Sequence, residues 1–295
     1  MSLNLSVRRT FRVLMLHGYA QSSEVFRVKA RLVVEQVTRS LTPLIEDEYP
    51  DGLEFIFPDA PLRLNGPEGH EQTGLEYRAW WLNLDDTSNY IGFDRAIIGI
   101  SESLDHRPIH AVIGFSQGGA LAAMVASLCE AASNPDRQKS LLEQQGQLLS
   151  HSPFHHIPGQ RPLRFVICFS GFRGTMKYYS SFYTPLLSPP SLHIIGTLDT
   201  MITDRQSQDL VDAFKRQKIL YHDGGHYIPR DPQLLERVGL FISNAYHLRP
   251  APDEEKCIIP CLPSQSGGVG IGFVRSRVKC RQILRRRKTR ICVYP

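Results

Sequence analysis

The stretch 109–127, IHAVIGFSQGGALAAMVAS, constrains this chain more than any other. An apolar, β-branched run (Ile109, Ala111, Val112, Ile113) meets the turn Gly114-Phe115-Ser116-Gln117-Gly118 and continues as an alanine-rich segment. Strand, sharp turn and helix in that order, with Gly-x-Ser-x-Gly at the turn, is the pattern of a nucleophile elbow. Gly114 and Gly118 remove Cβ atoms that so tight a turn cannot hold, and Gly119, Ala120, Ala122 and Ala123 let the helix approach a sheet closely. Ser116 is predicted on strained backbone at a helix N-terminus, where the dipole favours developing negative charge. The competing reading is an ordinary strand-to-helix turn whose serine caps the helix. The motif alone does not decide between them; the rest of the chain bears on the choice.

Apolar runs at 11–16, 53–57, 163–169, 191–195 and 219–222 read as further buried strands, and helical spacing recurs at 24–41, 93–104, 203–216 and 232–247. Alternation of this kind predicts an α/β architecture, a doubly wound, mostly parallel sheet with helices on both faces, and the elbow within it points to an α/β-hydrolase fold. Asp199 follows one predicted strand and His226 another, so Ser116, Asp199 and His226 run in the Ser…Asp…His order of such folds, each just beyond a strand's carboxyl end. His226 would act as general base and acid, and Asp199 would orient and stabilise its ring. Among rivals, Asp204 falls in the first turn of a helix, Asp223 is too near His226 in sequence, His222 lies within a strand, and Ser170 lacks the paired glycines of an elbow.

The strand at 11–16 runs into His17-Gly18-Tyr19, which by analogy supplies the second oxyanion donor. The backbone N–H groups of Tyr19 and Gln117 are therefore the expected oxyanion hole, with His17 shaping the loop. Residues 62–91 are long, weakly periodic and hold both tryptophans, which suggests a lid in which Trp80 or Trp81 lines an acyl pocket; core aromatics without substrate contact are an equal alternative. Residues 131–161 break the α/β rhythm and read as a polar insert with one short helix near 139–149. His151, His155 and His156 in it read as a solvated loop, since no carboxylate or cysteine sits at metal-ligand spacing.

The net charge of +5 hides an uneven distribution. Residues 249–295 carry 11 Lys+Arg and 3 Asp+Glu, whereas the chain before them carries 23 and 26. A hydrolase domain at 1–248 followed by a basic, disordered tail is expected. The tail's Arg285-Arg286-Arg287-Lys288 fits a nuclear-localisation or nucleic-acid patch, but a solvated tail without function is the preferred reading. The start, MSLNLSVRRTF, has no secretory apolar region and no run reaches membrane-span length, so a reducing, cytoplasmic setting is expected. Cys129 and Cys168 sit in apolar patterns and read as buried thiols, and no membrane or nucleic-acid partner is expected.

The series LMLHGYAQS (14–22), FPDAP (57–61), Trp80-Trp81, GFSQGGALAA (114–123), FSGF (169–172), GTLDTMI (196–202) and HDGGHYIP (222–229) resembles the FSH family of serine hydrolases, related to the human ovarian tumour-suppressor candidate 2. GFSQGG alone is shared with carboxylesterases and acyl-protein thioesterases; the series is what is specific. The resemblance implies ester or thioester hydrolysis through Ser116, Asp199 and His226, with no metal or organic cofactor. It also implies a small acyl substrate or, as in fungal members, a chain carried by an acyl carrier or polyketide synthase. A non-catalytic binding protein that uses the basic tail is the remaining alternative, and the intact Ser, Asp and His positions argue against it.

Overall fold

The computed structural model describes residues 9–65, 76–84, 89–150, 154 and 157–248, without the side chains of 144–150. Six strands form one sheet: β1 (Phe11–Leu16), β2 (Leu53–Ile56), β5 (Ala111–Phe115), β6 (Phe165–Phe169), β7 (Ser191–Gly196) and β8 (Gln217–His222), ordered β2-β1-β5-β6-β7-β8. All five pairings are parallel, for example Val13 with Ala111, Ala111 with Phe165 and Val166 with Ser191. Parallel strands need crossovers, and helices supply them on both faces. A small antiparallel hairpin, β3 (Leu62–Leu64) with β4 (Tyr77–Ala79), stands apart from the sheet. The α/β-hydrolase architecture expected from the sequence is the one observed.

The period-2 geometry of the strands divides the core in two. Leu14, Leu16, Val112, Val166 and Cys168 face one layer, which contains α3 (Phe93–Ser103), α4 (Gln117–Ala131) and part of α6 (Asp204–Val211). Val13, Met15, Ile113, Ile167 and Phe169 face the other, filled by α1 (Ser23–Lys29), α2 (Arg31–Ile45) and α7 (Pro232–His247). Every residue of α4 is buried, which explains a helix apolar nearly all round. It approaches so closely that Gly119 lies against the Cα of Gly171.

The helix expected at 24–41 is two helices. Ser22 caps the first by accepting from the Val25 N–H, the chain breaks at Ala30, and α2 runs on to Ile45 with Pro43 inside it. The insert at 131–161 departs further from expectation. It contains α5 (Pro135–Ser150), started by Pro135 and by Asn134, which accepts from the Arg137 N–H. Arg137 is fully buried, and its guanidinium donates to the carbonyls of Phe182 and Pro185, next to the 3-10 turn Lys177–Tyr183, with Glu130 at 3.9 Å. A buried charged residue therefore ties the insert to the body by serving backbone acceptors of the neighbouring segment. His151, His155 and His156, residues 66–75 and 85–88 of the expected lid and the tail at 249–295 lie outside the described residues.

Candidate active site

Ser116 joins β5 to α4 with φ 53° and ψ −117°, in a backbone region that costs a non-glycine residue about 1–3 kcal/mol. The surroundings impose it. A Cβ on Gly114 would run into the carbonyl of Gly118, and one on Gly118 would run into the carbonyls of Leu16 and His17. The Ser116 N–H donates to the Phe169 carbonyl at 2.8 Å, which fixes the elbow to the neighbouring strand.

The partners come from the ends of β7 and β8, and the two loops are hydrogen-bonded to each other. Thr197 N–H donates to the His222 carbonyl at 2.9 Å and Leu198 N–H to the Gly224 carbonyl at 3.0 Å. This pairing carries Asp199 up to His226: Nδ1 of His226 lies 2.8 Å from Asp199 Oδ2, and its Nε2 lies 2.9 Å from Ser116 Oγ. The other carboxylate oxygen, Asp199 Oδ1, accepts from the N–H groups of Met201 and Ile202, each at 2.9 Å. Burial pushes the Asp199 pKa up, but hydrogen bonds from the Ile202 N–H and His226 and the nearby Ser170 hydroxyl outweigh it and hold the carboxyl below its usual range. That hydroxyl is buried and has no hydrogen bond of regular geometry. Ser170 is the rival serine; His226 bonds Ser116 instead. Asp204 sits in the first turn of α6 behind the Thr203 cap and accepts from the Tyr221 hydroxyl, away from this line.

Ser116 and His226 open on a cavity of about 620 Å³ that Tyr19 and Phe115 also line. Neither the Tyr19 N–H nor the Gln117 N–H donates to any group among the described residues, the condition required of donors kept for an oxyanion. The Gln117 side chain is occupied elsewhere. Its Oε1 accepts from the Trp80 N–H at 2.9 Å and its Nε2 donates to the Trp81 carbonyl at 2.8 Å.

That clamp explains the correction the structure makes to the acyl-pocket expectation. Trp80 is 0% exposed and Trp81 3%, both packed in the core beside Tyr90 and Phe93, and neither lines the cavity at Ser116. The Trp80 indole N–H donates to the His17 carbonyl at 2.8 Å. His17 shapes the loop, as expected. Its Nε2 accepts from the Ala60 N–H, so Nδ1 carries the proton toward the Gly18 carbonyl, and burial pushes its pKa down to about 4. A second cavity, of about 710 Å³, is lined by Tyr49, Ile109, His110 and Arg164, residues near the amino ends of the strands, so it opens at the sheet edge away from Ser116. Among the described residues no acid, histidine and cysteine cluster could hold a metal, and no helix is long and apolar enough to cross a membrane. Cys129 and Cys168 are free, buried thiols whose pKa values burial pushes up.

Burying neutral histidines has a consequence for stability. Burial also lowers His110 to about 4 and His193 to about 3. Between pH 6.5 and about 4 the unfolded chain binds protons that these folded sites refuse, so stability is full above pH 6.5 and falls as pH drops. For His17 alone, the move from 6.5 to about 4 corresponds to roughly 3 kcal/mol. The urea midpoint should therefore fall between pH 7.5 and pH 5; a constant midpoint would contradict neutral burial.

Comparison with known proteins agrees with this architecture. A family model described as serine hydrolase (FSH1) matches residues 6–238. The zebrafish (Danio rerio) protein Esterase OVCA2 is 28% identical over 240 residues, covering 74% of this chain and 90% of its own. Esterase CG5412 of Drosophila melanogaster is 28% identical over 240 residues, covering 78% of this chain and 73% of its own. A protein of Schizosaccharomyces pombe named dihydrofolate reductase is 28% identical over 273 residues, which cover 89% of this chain but only 53% of that protein. With the family model spanning most of its length, the chain belongs to the FSH1 family of serine hydrolases.

Proposed function

We propose that this chain hydrolyses carboxylic esters or thioesters through an acyl-enzyme, with Ser116 as nucleophile, His226 as general base and acid, and Asp199 as the group that orients His226. One observation carries the reading: the unbroken line from Ser116 Oγ through His226 to Asp199, ending in a cavity. Ser116 Oγ bonds to the substrate's carbonyl carbon as its proton passes to His226 Nε2. The carbonyl oxygen, now negative, accepts from the N–H groups of Tyr19 and Gln117. Collapse expels the alcohol or thiol, which takes the proton from His226. Water, deprotonated by the same ring, then releases the acid and restores Ser116. No step needs a metal or an organic cofactor.

The esterase names of the zebrafish and fly relatives support the oxygen-ester reading. The mechanism serves a thioester equally, so a chain delivered by an acyl carrier or a synthase is the second form of the same proposal. The free thiols of Cys129 and Cys168 support a cytoplasmic setting. A non-catalytic binding protein is disfavoured, because strained backbone and a buried, hydrogen-bonded carboxylate would be retained for nothing. The test is hydrolysis of oxygen and sulfur esters with the same acyl chain by wild type and by Ser116→Ala. The reading expects at least one pair member to be turned over by wild type alone; turnover equal in both proteins would sink it.

A further inference from the structure

The cavity at Ser116 has a charge opposite to that of the chain around it. Up to Leu248 acidic residues outnumber Lys and Arg, 26 to 23. Yet the cavity is lined by Lys29 and Arg230 and by no Asp or Glu. Both cations are exposed, and neither makes an ion pair or hydrogen bond among the described residues. Two arginines close to the cavity-lining segments are engaged instead: Arg78, whose backbone N–H donates to the Gln21 carbonyl, pairs with Glu76, and Arg27 of α1 lies over the Phe57 ring.

Both positions are held by the fold. Lys29 ends α1, the helix that follows the Tyr19 loop. Arg230 follows Ile228-Pro229 in the loop that presents His226, and Pro229 restricts the backbone before it. The adjacent Asp231 gives it no partner, because that carboxylate caps α7 by accepting from the Leu234 N–H at 2.7 Å. The remaining wall includes Phe115, Met201 and Ile228 and is largely apolar. An apolar wall with two free cations beside a reacting serine matches a substrate that has an apolar part and a negative charge.

We propose that the Ser116 site takes acyl esters or thioesters bearing an anionic group, a carboxylate or a phosphate, which Lys29 and Arg230 hold. This rests on the hydrolase reading above. The anion can sit at the far end of the acyl chain or in the leaving group, and substrate pairs separate the two. For the acyl end the pair is mono-p-nitrophenyl glutarate against p-nitrophenyl valerate, which have equal carbon count. For the leaving group it is butyryl-coenzyme A against S-butyryl-N-acetylcysteamine.

At low ionic strength at least one anionic member should exceed its neutral partner in kcat/KM by about tenfold, through a lower KM, and added salt should shrink the ratio. Lys29→Gln and Arg230→Gln should each reduce that ratio, the double variant should bring it near unity, and Arg230→Glu should invert it. Because each ratio is read within one protein, a general loss of activity does not mimic the effect. Ratios at or below unity in wild type, or a preference that the double variant keeps, would overturn the inference. Wild type that hydrolyses the neutral esters alone would overturn it and leave the hydrolase reading standing; failure on all four substrates would remove both.

Discussion

Replacing Ser116 with alanine should lower kcat for ester hydrolysis by about four to six orders of magnitude and leave the fold nearly unchanged. Ser116 is 8% exposed, and its hydroxyl is engaged with His226 rather than packed in a core. Alanine has the same backbone preference as serine at φ 53°, so the strain of the elbow is carried over and not relieved. In the proposed mechanism, what is lost is the atom that forms the acyl bond. The Tyr19 and Gln117 N–H groups remain, and they would account for residual turnover above that of water. Single-turnover assays on folded variant protein, with the thermal midpoint measured alongside, check both halves of the expectation. A variant within tenfold of wild type would mean the reaction runs through another group.

Asp199→Asn should cost about four orders of magnitude in kcat, and the hydrogen bonds around it give the reason. Oδ1 of Asp199 accepts from two backbone N–H groups, Met201 and Ile202. An asparagine must keep its carbonyl oxygen there, so its NH₂ turns toward His226 Nδ1. That nitrogen then has to accept, which moves the ring's proton to Nε2 and aims an N–H at Ser116 Oγ. A ring so protonated cannot take the serine's proton. The variant also replaces a carboxyl whose pKa lies below its usual range, and with it the charge that stabilises the protonated ring. Near wild-type turnover in Asp199→Asn would show that His226 does not depend on this carboxylate.

The line Ser116, His226, Asp199 was legible because each residue follows an apolar run, and a parallel sheet brings strand ends to one edge. The Ser116 flanks were legible because steric need at Gly114 and Gly118 leaves a fixed spacing in the sequence. Trp80 and Trp81 were not: an aromatic pair in an aperiodic stretch looks alike whether it faces a substrate or a core. What decides is the Gln117 amide clamping their backbone, a contact between residues far apart in the chain. The packing of the insert was not legible either, since a polar run does not show that one of its charges, Arg137, is buried against the carbonyls of Phe182 and Pro185. Lys29 and Arg230 carry no sequence signal as a pair. One ends a helix after β1 and the other follows β8, and only the folded sheet edge puts them on one cavity.

The most direct test of the account is covalent labelling of the wild-type protein with a fluorophosphonate, followed by peptide mapping of the adduct. An activated serine beside a general base should phosphonylate once, at Ser116, with no adduct in Ser116→Ala and much slower labelling in Asp199→Asn. Folded wild-type protein that takes no label, or takes it at Ser170, would contradict the account.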